Sequence, residues 1–155
     1  MHSAQHIYAT APLGSLIRFG TAQPRPPERF KRKVREWESQ NGVGRLVKRR
    51  PARGSIPATI TLHLGDFESG GVIIMVAHRV FEVGGTERFE IAEPPMAGTV
   101  RILTRDPGGD ELRHLAPDMT AAQQWIAANR MSNMRAEVVP YPDPVVVPEA
   151  LGLAA

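Results

Sequence analysis

The stretch TITLHLGDFESGGVIIMVAHRVFEVGG, residues 59–85, decides the fold. Its first six residues alternate, with Ile60, Leu62 and Leu64 on one side and Thr59, Thr61 and His63 on the other. That is the two-residue period of a strand with one buried face. Gly65 to Gly71 reads as a turn-rich break. The β-branched run from Gly71 to Val83 reads as a central strand, bulged near Ala77-His78 where the alternation loses phase. Gly84-Gly85 supplies a hairpin turn, so successive strands here run antiparallel.

Outward towards the C-terminus the pattern repeats. Arg88 to Ala92 reads as a strand stopped by Pro94-Pro95, and Gly98 to Arg105 as another, with Val100 and Ile102 facing one way. Asp106-Pro107-Gly108-Gly109-Asp110 is a turn, and Glu111 to Leu115 a short returning strand. A helix follows from about Thr120 to Met131. Its cap is Asp118 or Thr120, and Ala121, Ala122, Trp125, Ile126 and Ala128 form its apolar side. Arg135 to Val139 is a last strand. From Pro140 a Pro-rich tail, 140–155, is expected to lie extended or fray.

Outward towards the N-terminus, His6 to Thr10 and Ser15 to Phe19 read as short strands around Ala11-Pro12-Leu13-Gly14, and Val43 to Lys48 as a third. Between them, Pro27 to Gln40 reads as a helix. Phe30, Val34 and Trp37 recur at i, i+4 and i+7, so they fall on one narrow face that is expected to dock inward. Pro26-Pro27 suits its start and Asn41-Gly42 its end. The expected fold is therefore α+β: a mostly antiparallel twisted sheet or partial barrel with two packed helices, residues 1–139 making one globular domain.

Charge is unevenly laid out. The chain has 155 residues and a net charge of only +3, with 42% hydrophobic and 23% charged residues, ordinary values for a globular protein. Yet residues 1–53 carry twelve Lys and Arg against Glu28, Glu36 and Glu38, while residues 54–155 carry seven against thirteen Asp and Glu. The basic excess gathers in Arg29, Lys31, Arg32, Lys33 and Arg35 of the helix, then in Arg45 and in a second cluster of Lys48, Arg49, Arg50 and Arg53. Glu28 and Glu36 stand at helical spacing from Arg32 and offset part of this charge. The second cluster has no acidic residue near it in sequence. Dense like charge favours a partner of opposite sign.

Other chemistries are weakly signalled. The chain has no cysteine, which removes disulfides, thiol nucleophiles and Cys-ligated zinc. The histidines His2, His6, His63, His78 and His114 form no metal-binding motif, although His63 and His114 can face outward near Asp66, Asp110 or Glu111. No serine stands in a GxSxG elbow or an SxxK pair, and Gly42-Val43-Gly44 lacks the third glycine and the preceding strand of a nucleotide loop. Asp66 with Glu68, and Asp110 with Glu111, sit in turns where carboxylates are ordinarily solvated. Trp37 and Trp125 lie on the apolar sides of their helices as core anchors; Tyr8 and Phe19 are the better base-stacking pair. No leader peptide or membrane span is visible, so a cytoplasmic location is expected.

These features point to a non-enzymatic nucleic-acid-binding accessory protein without metal or cofactor. It would use Arg29, Lys31, Arg32, Arg35, Arg45, Lys48, Arg49, Arg50 and Arg53 to contact phosphates. The alternative is a protein-interaction module, an inhibitor or adaptor docking the same patch on an acidic protein surface. A third reading is a small enzyme acting on an anionic substrate, which a pocket lined by Arg45, His63 or His78 would favour.

Overall fold

The computed structural model describes residues 1–142, with the side chains of 67–69 and 72–75 excluded. It is an α+β fold of three helices, α1 (Ala4–Thr10), α2 (Lys31–Gln40) and α3 (Met119–Ala128), and eight strands. The strands are β1 (Leu16–Gly20), β2 (Gly42–Arg50), β3 (Thr59–Ser69), β4 (Val72–Glu82), β5 (Arg88–Glu93), β6 (Val100–Asp106), β7 (Gly109–Ala116) and β8 (Met134–Val138). Every described ladder is antiparallel.

The sheet forks at β2. One edge of β2 pairs with β3, which pairs with β4. The other edge is shared: its first part, Gly42 to Arg45, pairs with β1, and further along Lys48 stands opposite Glu111 of β7. One arm therefore runs through β1 to β5, and the other through β7 and β6 to β8. The sheet curls far enough that Phe81 of β4 and Phe89 of β5 meet edge to face at 5.0 Å. No described ladder joins these two strands, so the sheet stays open.

The core follows from the alternation. Ile60 and Leu62 of β3 are fully buried with Leu46, Ile17 and Phe89, and Leu103 and Leu112 of the second arm join this cluster. A smaller core lies between α3 and the second arm, where Ala122 packs against Val100, Ile102 and Ala116. Each fully buried large side chain contributes about 1.5–3 kcal/mol relative to exposure.

Several expectations are corrected. His6 to Thr10 is not a strand but part of α1, where Ala4, Ile7 and Ala11 are fully buried at spacings of three and four. The Ser3 hydroxyl accepts a hydrogen bond from the His6 amide at 3.2 Å and so caps the first turn. Gly65 to Ser69 does not break the strand: β3 continues to Ser69, and the turn is made by Gly70 and Gly71 with φ of +60° and +81°. Glycine adopts such angles without steric cost. The extra residue of the bulge lies on β3 at Leu64, facing Ala77 and His78. Phe30, expected to point inward, is 42% exposed, and the helix begins only at Lys31. Phe19 is core rather than a stacking platform. At α3 the cap is Asp118, whose carboxylate accepts from the Ala121 amide at 2.8 Å. Beyond residue 142 the Pro-rich tail lies outside the described residues. No helix among the described residues is long and apolar enough to cross a membrane.

Candidate nucleic-acid interface and the histidine-lined cleft

Folding divides the basic residues into those with internal partners and those without. Lys48 is the clearest of the first kind: its side chain is 12% exposed, and Nζ lies 2.6 Å from the Asp106 carboxylate and 3.6 Å from that of Glu111. The Lys48 ammonium and the Gly108 amide together hold the Asp106 carboxyl below its ordinary value. Arg49 donates to the Tyr8 carbonyl at 3.2 Å, tying β2 to α1. Arg45 donates to the Gly14 carbonyl at 2.6 Å and is half-buried. Arg50 and Arg53 are exposed at the far end of β2 and in the loop after it.

The second kind gathers at α2. Lys31, Lys33 and Arg35 are exposed, and among the described residues no carboxylate lies within ion-pair distance of them or of Arg29. Arg32 reaches Glu36 at 3.7 Å, but its side chain is 94% exposed, so the pair is worth little. Arg29 and Lys33 flank the Phe30 ring at 4.8 and 5.3 Å. The first turn contains no acidic residue and no side chain caps it. Cations at Lys31, Arg32 and Lys33 therefore face the positive end of the helix dipole, an arrangement that an anion from outside relieves.

The helix is anchored at its other end. Arg79 Nη1 donates to the Ser39 carbonyl at 2.7 Å, and its guanidinium lies over the Phe19 and Phe81 rings at 5.2 and 5.0 Å. Val34 is buried, and the half-buried Trp37 donates from its indole to the Gln23 carbonyl at 2.8 Å. Arg25 bridges Glu28 and Glu38 at 3.0 and 2.8 Å, which raises its pKa further and consumes both carboxylates. The nine cations singled out in the sequence thus differ in what they already bind. The C-terminal end of α2 leads directly into β2, and Arg50 ends that strand about 26 Å further on at ~3.3 Å per residue.

The structure also assembles a cleft of about 750 Å³ between the outer face of β2–β4 and the second arm. Arg45, His63 and His78 stand directly opposite one another across β2, β3 and β4 and line one side. The bulge at Leu64 brings Asp66 onto the same face, where its carboxylate lies 2.7 Å from His63 Nε2. The His63 and His78 rings meet edge to face at 5.4 Å. Across the cleft, Glu111 and Arg113 pair at 3.2 Å, and His114 stacks on Trp125 at 4.9 Å with ring planes 3° apart. Burial holds the His114 pKa below its ordinary value.

Sequence reasoning named Arg45, His63 or His78 as the lining of a pocket and Asp66 as a neighbour of an outward-facing His63. It missed Arg113, and it placed Trp125 in the core, although that ring is half-buried and lines the cleft. No group of three or more His, Asp or Glu among the described residues is placed to hold a metal ion. No curated protein and no solved structure matches the chain. A family model described as "Uncharacterised conserved protein UCP036055" matches residues 2–143, nearly the whole length, and the chain belongs to that family.

Proposed function

We propose that the protein binds nucleic acid through the phosphate backbone, with α2 and Arg29, two residues before it, as the contact surface. The observation that carries this reading is the set of exposed cations Arg29, Lys31, Lys33 and Arg35 without a carboxylate partner among the described residues. Lys48, Arg45 and Arg49 drop to a supporting role, because their side chains already donate to groups of the protein. Arg50 and Arg53 form a separate, smaller group that a long strand lying along β2 reaches as well. Such contacts fix position on a backbone and carry no base information, so binding is indifferent to sequence.

A gel-shift titration with random-sequence single- and double-stranded DNA and RNA tests this. The variant Lys31→Gln, Lys33→Gln, Arg35→Gln binds far more weakly, whereas Arg105→Gln, an exposed arginine already beside Asp110 at 3.9 Å, binds as the parent does. If the triple variant binds as the parent does, the reading fails. It fails equally if the parent binds no nucleic acid and instead captures an acidic protein in a nuclease-resistant complex.

A further inference from the structure

The cleft is a second site, formed by residues that the α2 surface does not use. Its charges do not cancel. Asp66 is engaged by His63, and Glu111 has both Arg113 at 3.2 Å and Lys48 at 3.6 Å, so each carboxylate lining the cleft has a cationic or hydrogen-bonding partner within the protein. Arg45 is different. Its one described hydrogen bond runs from Nη1 to the Gly14 carbonyl, and no described carboxylate lies within ion-pair distance of it. A guanidinium offers five N–H donors in a planar fork, so Arg45 retains donors for an oxyanion.

The neighbours of Arg45 fit the same ligand. His63 and His78 follow it in one row across the sheet, and ring nitrogens there lie on the same face as the guanidinium. Asp66 fixes the orientation of the His63 ring by accepting from Nε2, and Nδ1 donates to an oxyanion when the ring is doubly protonated. The opposite wall carries the Glu111–Arg113 pair and Asn129, beside an apolar and aromatic strip of Val47, Leu112 and the parallel rings of His114 and Trp125. His114 is held towards its neutral form, so it adds no charge to the Glu111–Arg113 pair on this wall.

From this arrangement we infer that the cleft binds a small amphipathic oxyanion. Its carboxylate or phosphate head sits on Arg45 beside His63 and His78, and its planar apolar body lies along Leu112 and the His114–Trp125 pair. Binding pockets commonly combine a mostly apolar lining with a few convergent polar groups. The head group sets orientation, and the apolar wall adds affinity through burial.

The chain has two tryptophans, so the Trp37→Phe protein leaves Trp125 as the sole indole reporter. This protein is titrated with phenyl phosphate and with benzoate, each followed by the Trp125 indole N–H resonance. Benzylamine serves as the cationic isostere and inorganic phosphate as the head group alone. The expected result is a saturable shift with at least one aromatic anion, at least tenfold tighter than with benzylamine or with inorganic phosphate. Which aromatic anion binds more tightly assigns the head group. Arg45→Gln weakens binding at least tenfold, and so does His78→Asn, whose exposed position makes it the decisive variant if loss of the Gly14 contact unfolds the first. The α2 triple variant binds these ligands unchanged, which separates this site from the nucleic-acid surface. No saturable shift with either anion, equal affinity for benzylamine, or a folded His78→Asn protein that binds as the parent does overturns the inference.

Discussion

The salt dependence of nucleic-acid binding follows quantitatively from which cations have partners. If Arg29, Lys31, Lys33 and Arg35 each neutralise one phosphate, four counterions are released, and the slope of log affinity against log salt is about −3.6 for duplex DNA or −2.8 for a single strand. Raising salt from about 50 to 200 mM then weakens duplex binding about 150-fold and single-strand binding about 50-fold. The Lys31→Gln, Lys33→Gln, Arg35→Gln protein keeps Arg29 alone, so its duplex slope falls to about −0.9. Lys48→Met leaves the slope unchanged, because Asp106 and Glu111 already take up that charge. Fluorescence anisotropy with end-labelled random 20-mers at four salt concentrations measures all three. A parent slope shallower than about −1, or a Lys48→Met slope reduced as much as that of the triple variant, refutes the assignment of contacts to α2.

Further outcomes follow from the packing. Phe89→Ala removes a fully buried ring that meets Phe81 and should destabilise by about 3–5 kcal/mol, lowering the calorimetric midpoint by roughly 6–20 °C. At Gly44 an added methyl would stand 2.9 Å from both Leu62 Cβ and Leu64 Cδ2 and 3.1 Å from the His63 carbonyl, so Gly44→Ala should cost about 1–3 kcal/mol in urea unfolding. Gly65→Ala, with no atom within 4 Å of the new methyl, should change stability by less than about 0.5 kcal/mol in the same measurement. His114 has a folded pKa below its unfolded value, so the unfolded chain binds more protons as pH falls. Its contribution is present above the ordinary value of 6.5 and is lost as pH drops below that value. Melting at pH 5 and pH 7.5 should show a smaller difference in His114→Gln than in the parent.

What the sequence revealed depended on the range of the interaction behind each feature. The Thr59 to His63 alternation, the Gly84-Gly85 and Asp106 to Asp110 turns and the Asp118 cap are local and stand in the structure, whereas Leu64 leaves the buried side as the bulge residue and is 40% exposed. α1 escaped notice because Ile7 is flanked on its inward side only by the alanines Ala4 and, at the C-cap, Ala11, which stand out little beside the β-favouring Ile7 and Tyr8. β3 was cut short because Gly65 and Asp66 resemble turn residues, while the actual turn needs only Gly70 and Gly71.

The cations failed for a different reason. Lys48 meets Asp106 across 58 residues of sequence, a pairing that no local count of charges contains. The α2 cations, whose surroundings are mostly their own helix, were legible from helical spacing. The His63–Asp66 contact spans only three residues, yet it exists because Leu64 bulges, and the sequence signal for that bulge pointed to the opposite strand.

The fork at β2 bears on the order of assembly. β6, β7, α3 and β8 follow one another without interruption from Val100 to Val138 and satisfy one another's ladders, whereas β1 waits for β5, bringing Leu16 to Glu93. Short-range pairing closes faster, so the later segment organises first and the early chain folds onto it. Since Lys48 opposite Glu111 is the one described ladder position between β2 and β7, this segment should open as a unit in native-state hydrogen exchange, with amide protection of its own.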